Sequence, residues 1–496
     1  MINKNHDNSV DIVTIARQTM IDEGFAPDFS EAVLAEVKND FKKSIHSPDT
    51  TVDVRKLLWS SIDNKSSRDL DQIEFVEKLE NDQIRVLIGV ADVDQYAKKD
   101  SAIDEHAAQN TTSVYTGVVT FPMLPEELST DLTSLVADED RHAIVIEFQV
   151  ASDGTSSNTK VYSALVHNYA KLSYESIGHW LDQNGTVPSE VASVPELENQ
   201  IRLQSEASTR LRELRKRQGA LELTTIQPSV VTDEKGEIVD LSLDQVNSAR
   251  DIIENFMVAA NVAMAEFLDQ HKIVSLRRVV RTPENWDRIV EVASEFGEEL
   301  PDQPDARALD DFLERRKQAD PLRFPDLSLA IVKLLGPGDY VVQSPGNKSE
   351  GHFGLAVHNY THSTAPNRRF PDLITQRLLK ACLAENTPPY SVDELEKIAE
   401  HCNERESAAR KVERKMRKVA AAHFLRNRIG EEFDAIVTGV TPKGTFARSI
   451  KPPVDGLIVS GKQRLKVGQR IRVRLVDVDQ AKGFIDFAAV GDSRSR

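Results

Sequence analysis

The sequence predicts an α+β fold followed by a small all-β barrel of the OB type, and three observations carry that prediction. Alternating apolar runs cluster early, helical stretches with one apolar face fill the middle, and five short strand patterns crowd into fewer than seventy residues after Gly430.

The elements follow in order. From Asp11 to about Phe41 two short helices are expected. Ala16, Met20 and Ile21 lie on one face of the first, and Ala32, Val33, Leu34 and Val37 on one face of the second. Residues 1–50 form an amino-terminal helical segment too short for a domain. Next come the runs Ile73–Val76, Ile84–Asp92 and His142–Val150, read as strands of one sheet. If Asn81-Asp82 is the turn between the first two, Asp71 faces Asp92 across the pair, which would add a carboxylate to the nearby aspartates. Helices are expected from Leu203 to Arg217, from Val246 to Leu268, and from Pro371 to Arg428 with a break near Thr387-Pro-Pro389. Residues 51–429 are read as one large domain and 430–496 as the barrel.

At 496 residues and 40% hydrophobic content the chain has room for roughly three ordinary globular domains. Its polar start, Met1–Val10, has no apolar run of a signal peptide, and no stretch is long enough to span a bilayer. The two cysteines, Cys382 and Cys402, sit in helical sequence and support neither a disulfide framework nor a thiolate metal site. A cytoplasmic, membrane-free monomer is expected. The net charge of −17 opposes nucleic-acid binding, but nine basic residues stand against three acidic ones between Glu404 and Arg428. That helix is either a solvated face or a phosphate-binding one.

The segment from Asp63 to Gln72 sets Asp63, Asp69 and Asp71 around a short loop before the first strand. Asp69 and Asp71, two apart at the mouth of a strand, project from one face, and Asp63 folds back from the other arm. Oxygen-only donors of this kind suit Mg²⁺; a plain polar turn uses the same residues. In the barrel, Arg470, Arg472 and Arg474 alternate along one strand near Phe446 and Lys443, the mixture that holds single-stranded nucleic acid, or else a solvent-facing stripe.

A more specific pattern lies downstream. Gly351-His-Phe-Gly-Leu355, Tyr360-Thr-His362, Ala365-Pro366, Arg368-Arg369-Phe370 and Asp372 stand in the order that resembles the signature of the ribonuclease II (RNB) family. Ser113-Val-Tyr115 and Ile253–Asn261 resemble further parts of it, from about residue 50 to the end. The resemblance implies a mixed sheet with surrounding helices and a central RNA channel, closed by an S-one type barrel. It also implies a hydrolytic 3′→5′ exoribonuclease that takes single-stranded RNA to nucleoside 5′-monophosphates. By the same resemblance Asp63, Asp69 and Asp71 are metal and water-activating carboxylates and Tyr115 stacks on a terminal base. Arg368 meets the scissile phosphate, and Glu413 helps fix the 3′-terminal nucleotide. Arg369 is expected to pair with Asp372 at a helix start.

The chain also departs from the family. Gln72 stands where a fourth aspartate is common, so the site has one charge fewer; its carboxamide oxygen still ligates Mg²⁺, and a shift to Mn²⁺ or support from Asp92 is open. Ser363 and Asn367 replace larger apolar residues beside Arg368. The fifty leading residues cannot hold the cold-shock barrels of well-studied members, and Ile273–Arg278 has no second aromatic clamp, so lower processivity is expected. The rival function is an RNA-binding protein of this fold whose catalysis has faded through Gln72.

Overall fold

The computed structural model describes residues 11–40, 50–183, 185–224, 228–233, 237–243, 246–461 and 465–490. The start Met1–Val10 and Phe41, the expected end of the second helix, lie outside the described residues. The two leading helices span Ile12–Asp22 and Glu31–Asp40. Ala16 and Met20 of the first are buried, as are Val33 and Val37 of the second, whereas Ile21 and Leu34 face solvent.

A six-stranded mixed sheet forms the centre. Trp59–Asp63, Gln72–Lys78, Ile84–Ala91 and Asp140–Val150 lie side by side, and the 18-residue strand Ser156–Ser173 pairs with both Trp59–Asp63 and Asp140–Val150. Both faces of this sheet are covered, which is why its strands read as near-continuous apolar runs. On one side Trp59, Ile73, Phe75 and Leu87 pack on Phe370, Leu373 and Ile374 of the helix Phe370–Leu383. On the other, Ile62, Val76, Val86 and Ile88 pack on the helices Leu197–Arg217 and Ser248–Gln270 through Ile201, Ile252 and Phe256.

The expected register between the first two long strands is corrected by one residue. Gln72 faces Val90 and Lys78 faces Ile84, so the connection is the loop Leu79–Gln83, with Asn81 and Asp82 both at positive φ, and not a two-residue turn. A one-residue slip turns a side chain to the opposite face of a sheet. Asp71 therefore meets Ala91, whose N–H donates to the Asp71 carbonyl at 2.9 Å, and Asp92 is held elsewhere by Lys380 at 2.9 Å and Gln95 at 2.9 Å. Asp92 adds no carboxylate to the aspartate loop.

One buried group in this sheet is unusual. Glu74 lies two residues after Gln72 with no exposure, and neither carboxyl oxygen has a hydrogen-bond partner among the described residues. Burial, and then the charge of Asp63, hold its carboxyl well above the usual range. A raised acid pKa in the folded state means that folding takes up a proton above about pH 4.3, so stability falls as pH rises through that window. Glu74→Gln is expected to raise the Tm at pH 8, by roughly 1 °C per kcal/mol relieved in a domain of this size, with a smaller gain at pH 5. Melting curves at the two pH values check this; an equal or lower Tm at pH 8 contradicts it.

The long helix Val392–Leu425 begins in a Ser391/Glu394 capping box and leads into a closed five-stranded barrel of Glu432–Thr441, Gly444–Ser449, Asp455–Ser460, Phe484–Val490 and Arg470–Asp479. Closure leaves the small sheet no free edge. Phe433, Val473, Leu475 and Phe487 fill its interior and continue into Ala421, Ala422 and Leu425 of the helix. Among the described residues no helix is long and apolar enough to cross a membrane.

Candidate active site

The aspartate loop is braced from both sides. Asp63 ends its strand, and the Lys171 ammonium, from the neighbouring strand, donates to the carbonyls of Lys65 and Ser67. Ser134 accepts from the Leu70 N–H at 2.9 Å and donates to the Arg68 carbonyl at 2.7 Å. Asp69, Asp71 and Gln72 follow and lead into the strand Gln72–Lys78.

The segment around Arg368 is tied to the same place by backbone bonds. The Ser113 N–H donates to the Arg368 carbonyl at 3.0 Å, and the Phe370 N–H to the Thr111 carbonyl at 2.8 Å. Arg368 thereby sits beside the hairpin that presents Tyr115, formed by Val114–Tyr115 and Thr120–Phe121. That hairpin turns at Gly117, where φ is +85° and an added Cβ would meet Val230 at 2.9 Å, so a larger residue is strained there. Arg369 points away and bonds Asp372 at 2.7 Å, the helix-start pairing expected from sequence.

Asp63, Asp69, Asp71, Gln72, Tyr115 and Arg368 line one cavity of about 300 Å³. Within it Asp71 is 3% exposed and both its oxygens are engaged: Oδ2 accepts from Arg368 Nε at 3.1 Å and Oδ1 from the Asn367 N–H at 3.1 Å. Burial pushes its carboxyl up to about 7, against the opposing pull of Arg368. Burial raises the Asp63 carboxyl too, while the Asn64 N–H lowers it. The Tyr115 hydroxyl donates to Asp69 at 3.2 Å, and the Tyr115 N–H donates to Glu413 Oε1 at 3.4 Å, so Tyr115 links the aspartate loop to the long helix. Desolvation raises the Tyr115 phenol, and burial raises the Glu413 carboxyl.

Two expected site residues lie elsewhere. Phe446 stands opposite Gly439 and Arg472 opposite Asp434, roughly 16 Å apart along one barrel strand. Arg472 and Arg474 both pair with Glu432, at 3.3 and 2.8 Å, so the arginine stripe is partly neutralised. Of the two departures beside Arg368, Ser363 bonds Asn261 through its N–H and hydroxyl at 2.8 and 2.9 Å, whereas the Asn367 carboxamide oxygen accepts from Thr133 and its buried amide nitrogen has no partner among the described residues.

Sequence reasoning missed Tyr174, Arg250 and Asn64, which line the same cavity. The Arg250 guanidinium lies 4.7 Å from the Tyr174 ring centroid and donates to Asn64 at 3.4 Å. Neither Arg250, which stands beside Asp251 in the first turn of its helix, nor Tyr174 carries a sequence signal that marks it as a cavity residue.

The donors fit a hard divalent cation in kind, being all oxygen. In position they do not converge: among the described residues no three His, Cys, Asp or Glu side chains gather closely enough to hold an ion. Asp71 is turned to Arg368 and Asp69 to Tyr115.

Residues 51–385 match the RNB domain family. The chain belongs to that family. Residues 431–490 of this RNB-family chain match the RNase II-type exonuclease C-terminal S1 domain. Among curated relatives, Ribonuclease R of Thermotoga maritima is 29% identical over 98% of the chain and 71% of its own length. Ribonuclease R of Escherichia coli is 29% identical over 90% of the chain and 58% of its own length, so the chain spans little more than half of that relative. Among solved structures, Mycoplasma genitalium RNase R in complex with ribose-methylated single-stranded RNA superposes with a TM-score of 0.86 at 24% identity, over 97% of this chain and 79% of that one. Yeast Ssd1, a pseudonuclease, superposes with a TM-score of 0.68 at 16% identity, over 88% of this chain and 54% of that one.

Proposed function

We propose that this chain hydrolyses single-stranded RNA from its 3′ end to nucleoside 5′-monophosphates, as a cytoplasmic monomer dependent on Mg²⁺ or Mn²⁺. The observation that carries the reading is the single cavity that gathers three carboxylates, the Arg368 guanidinium and the Tyr115 ring.

Asp63, Asp69, Asp71 and Gln72 would hold the ion, which when bound lowers the pKa of a water and offsets charge on the phosphate. Arg368 orients the scissile phosphate and stabilises the charge that grows on it. Tyr115 offers a ring for the terminal base, and Glu413 holds the Tyr115 backbone so that the ring faces the cavity. In the reaction the oxygen of water bonds to phosphorus, the P–O3′ bond breaks, and a proton passes to the departing 3′ oxygen. Products are the terminal nucleoside 5′-monophosphate and an RNA one residue shorter.

Incubation of the protein with 5′-labelled poly(A) in Mg²⁺ or Mn²⁺ tests this. A ladder shortening from the 3′ end supports the reading; RNA binding without cleavage sinks it. A second reading, an RNA-binding protein of this fold without catalysis, is favoured by Gln72 and by the unconverged carboxylates. Binding without cleavage is its expected result.

Tyr115 separates stacking from hydrogen bonding. Tyr115→Ala is expected to weaken the hold on short oligonucleotides by about 1–3 kcal/mol and lengthen the smallest end product. Tyr115→Phe, which keeps the ring and loses only the bond to Asp69, is expected to leave the end product unchanged. End-product sizing on denaturing gels reads both.

A further inference from the structure

Resting on the reading of Tyr115 as the ring that meets the terminal base, we propose that the leading segment is a positioning element of the active site. Its Met20 and Phe25 hold the hairpin that carries Tyr115 and so fix where the ring stands. The inference starts from the hairpin itself. Its ladder is only two residues long, with Val114 opposite Phe121 and Tyr115 opposite Thr120. A two-stranded hairpin alone is at best marginally stable in water, so packing must hold this one in place.

Side chains alternate between the faces of a strand, and here the two faces have different fates. Val114 and Phe121 are buried, whereas Tyr115 is 42% exposed and lines the cavity. The buried face rests on the leading segment: Met20 and Phe25 share one apolar cluster with Val114 and Phe121 and with Val412 and Met416 of the long helix. Val412 and Met416 flank Glu413, which accepts from the Tyr115 N–H at 3.4 Å. The leading segment thus packs on both elements that hold Tyr115. Its far end is pinned too. The Asn110 carboxamide, just ahead of the hairpin, accepts from the Ala26 N–H at 2.9 Å and donates to the Ala26 carbonyl at 2.8 Å. Arg405 of the long helix donates to the Glu23 carbonyl at 2.9 Å. Close-packed interiors transmit strain, and a side chain removed behind Val114 leaves a space that its neighbours only partly fill. Val114 then gains freedom, and Tyr115 is the next residue along the chain.

The test is fluorine NMR of the full chain carrying fluorotyrosine, with no RNA present, beside binding and end-product sizing on oligoadenylate. The Tyr115 resonance is the one lost in Tyr115→Phe. In Met20→Ala that resonance is expected to shift or broaden and the smallest end product to lengthen. Short oligonucleotides are expected to bind about fivefold more weakly, the lower end of what one stacked base contributes. Met20→Leu, close in volume, is expected to restore all three. Leu309→Ala, at a fully buried site in the separate cluster around Trp286, lowers the Tm as well and is expected to change none of them, which separates positioning from lost stability. In a Tyr115→Ala background Met20→Ala is expected to add nothing to the binding loss, because both act through one ring. An unmoved Tyr115 resonance in Met20→Ala overturns the inference, as does a binding loss that persists in full in the Tyr115→Ala background. A moved resonance with an unchanged end product overturns the positioning role; if Tyr115→Ala leaves the end product unchanged as well, the reading of Tyr115 itself has failed.

Discussion

Asp71→Asn is expected to reduce hydrolysis by at least about a hundredfold while leaving the fold and RNA binding in place. Outer-shell partners of metal ligands alone cost 10–100-fold when removed, and Asp71 stands among the proposed ligands themselves. The asparagine keeps the shape of the side chain and one acceptor for the Asn367 N–H, so the loop stays anchored. Stability supports the same variant. Burial holds the Asp71 carboxyl near 7, against about 3.9 in an unfolded chain, so the metal-free fold loses stability as pH rises from about 4 to 7. Removing that ionisable group leaves a Tm at pH 8 no lower than the wild type's. The shift also sets the pH dependence of ion uptake. Below pH 7 the ion must displace a proton from Asp71, so apparent Mg²⁺ affinity is expected to climb up to tenfold per pH unit toward 7 and level off above it. A flat pH profile between 5.5 and 7, or unchanged activity in Asp71→Asn, would move the chemistry away from this carboxylate.

Much of the fold was legible because its signals are local and repeat. The alternation in Ile73–Val76 and Ile84–Asp92 marks strands wherever they pair, and the barrel strands after Gly430 announce themselves by spacing. The register was not legible, because it depends on the φ angles of Asn81 and Asp82, and one residue of error moved Asp92 from the proposed site to the Lys380 ion pair on the other face. The cavity was legible where a motif brought residues together, as with Asp69, Asp71 and Arg368. It was illegible where only tertiary packing does so: Tyr174 and Arg250 meet because the starts of two helices, Tyr174–Gln183 and Ser248–Gln270, converge. In the barrel the alternating arginines read equally as a binding face or a solvent-facing stripe, and in the structure Arg472 and Arg474 share Glu432 as a counter-charge.

Gln72→Asp is the second large effect, and its sign tells the two functional readings apart. Gln72 lines the cavity beside Asp63, Asp69 and Asp71, so an aspartate there adds a fourth carboxylate within reach of the same ion. In the ion-free protein this charge is unfavourable: it repels its neighbours and drives the Asp71 carboxyl further up. With a divalent ion present the same charge strengthens ligation, since affinity follows the number of anionic oxygens. The variant is therefore expected to have a lower Tm than the wild type in EDTA at pH 8 and a higher one in millimolar Mg²⁺. The concentration of Mg²⁺ giving half-maximal cleavage is expected to fall by about tenfold, roughly 1.4 kcal/mol of added ion affinity. A wild type that cleaves only at high Mg²⁺, with a variant that cleaves at low Mg²⁺, means Gln72 weakens a working site. A wild type that binds RNA and never cleaves, with a variant that does, means this single carboxamide is what holds the site silent. If neither protein cleaves and Mg²⁺ leaves both melting temperatures unmoved, the carboxylates around Asp71 do not form a metal site, and Arg368 pairs with Asp71 for structure alone.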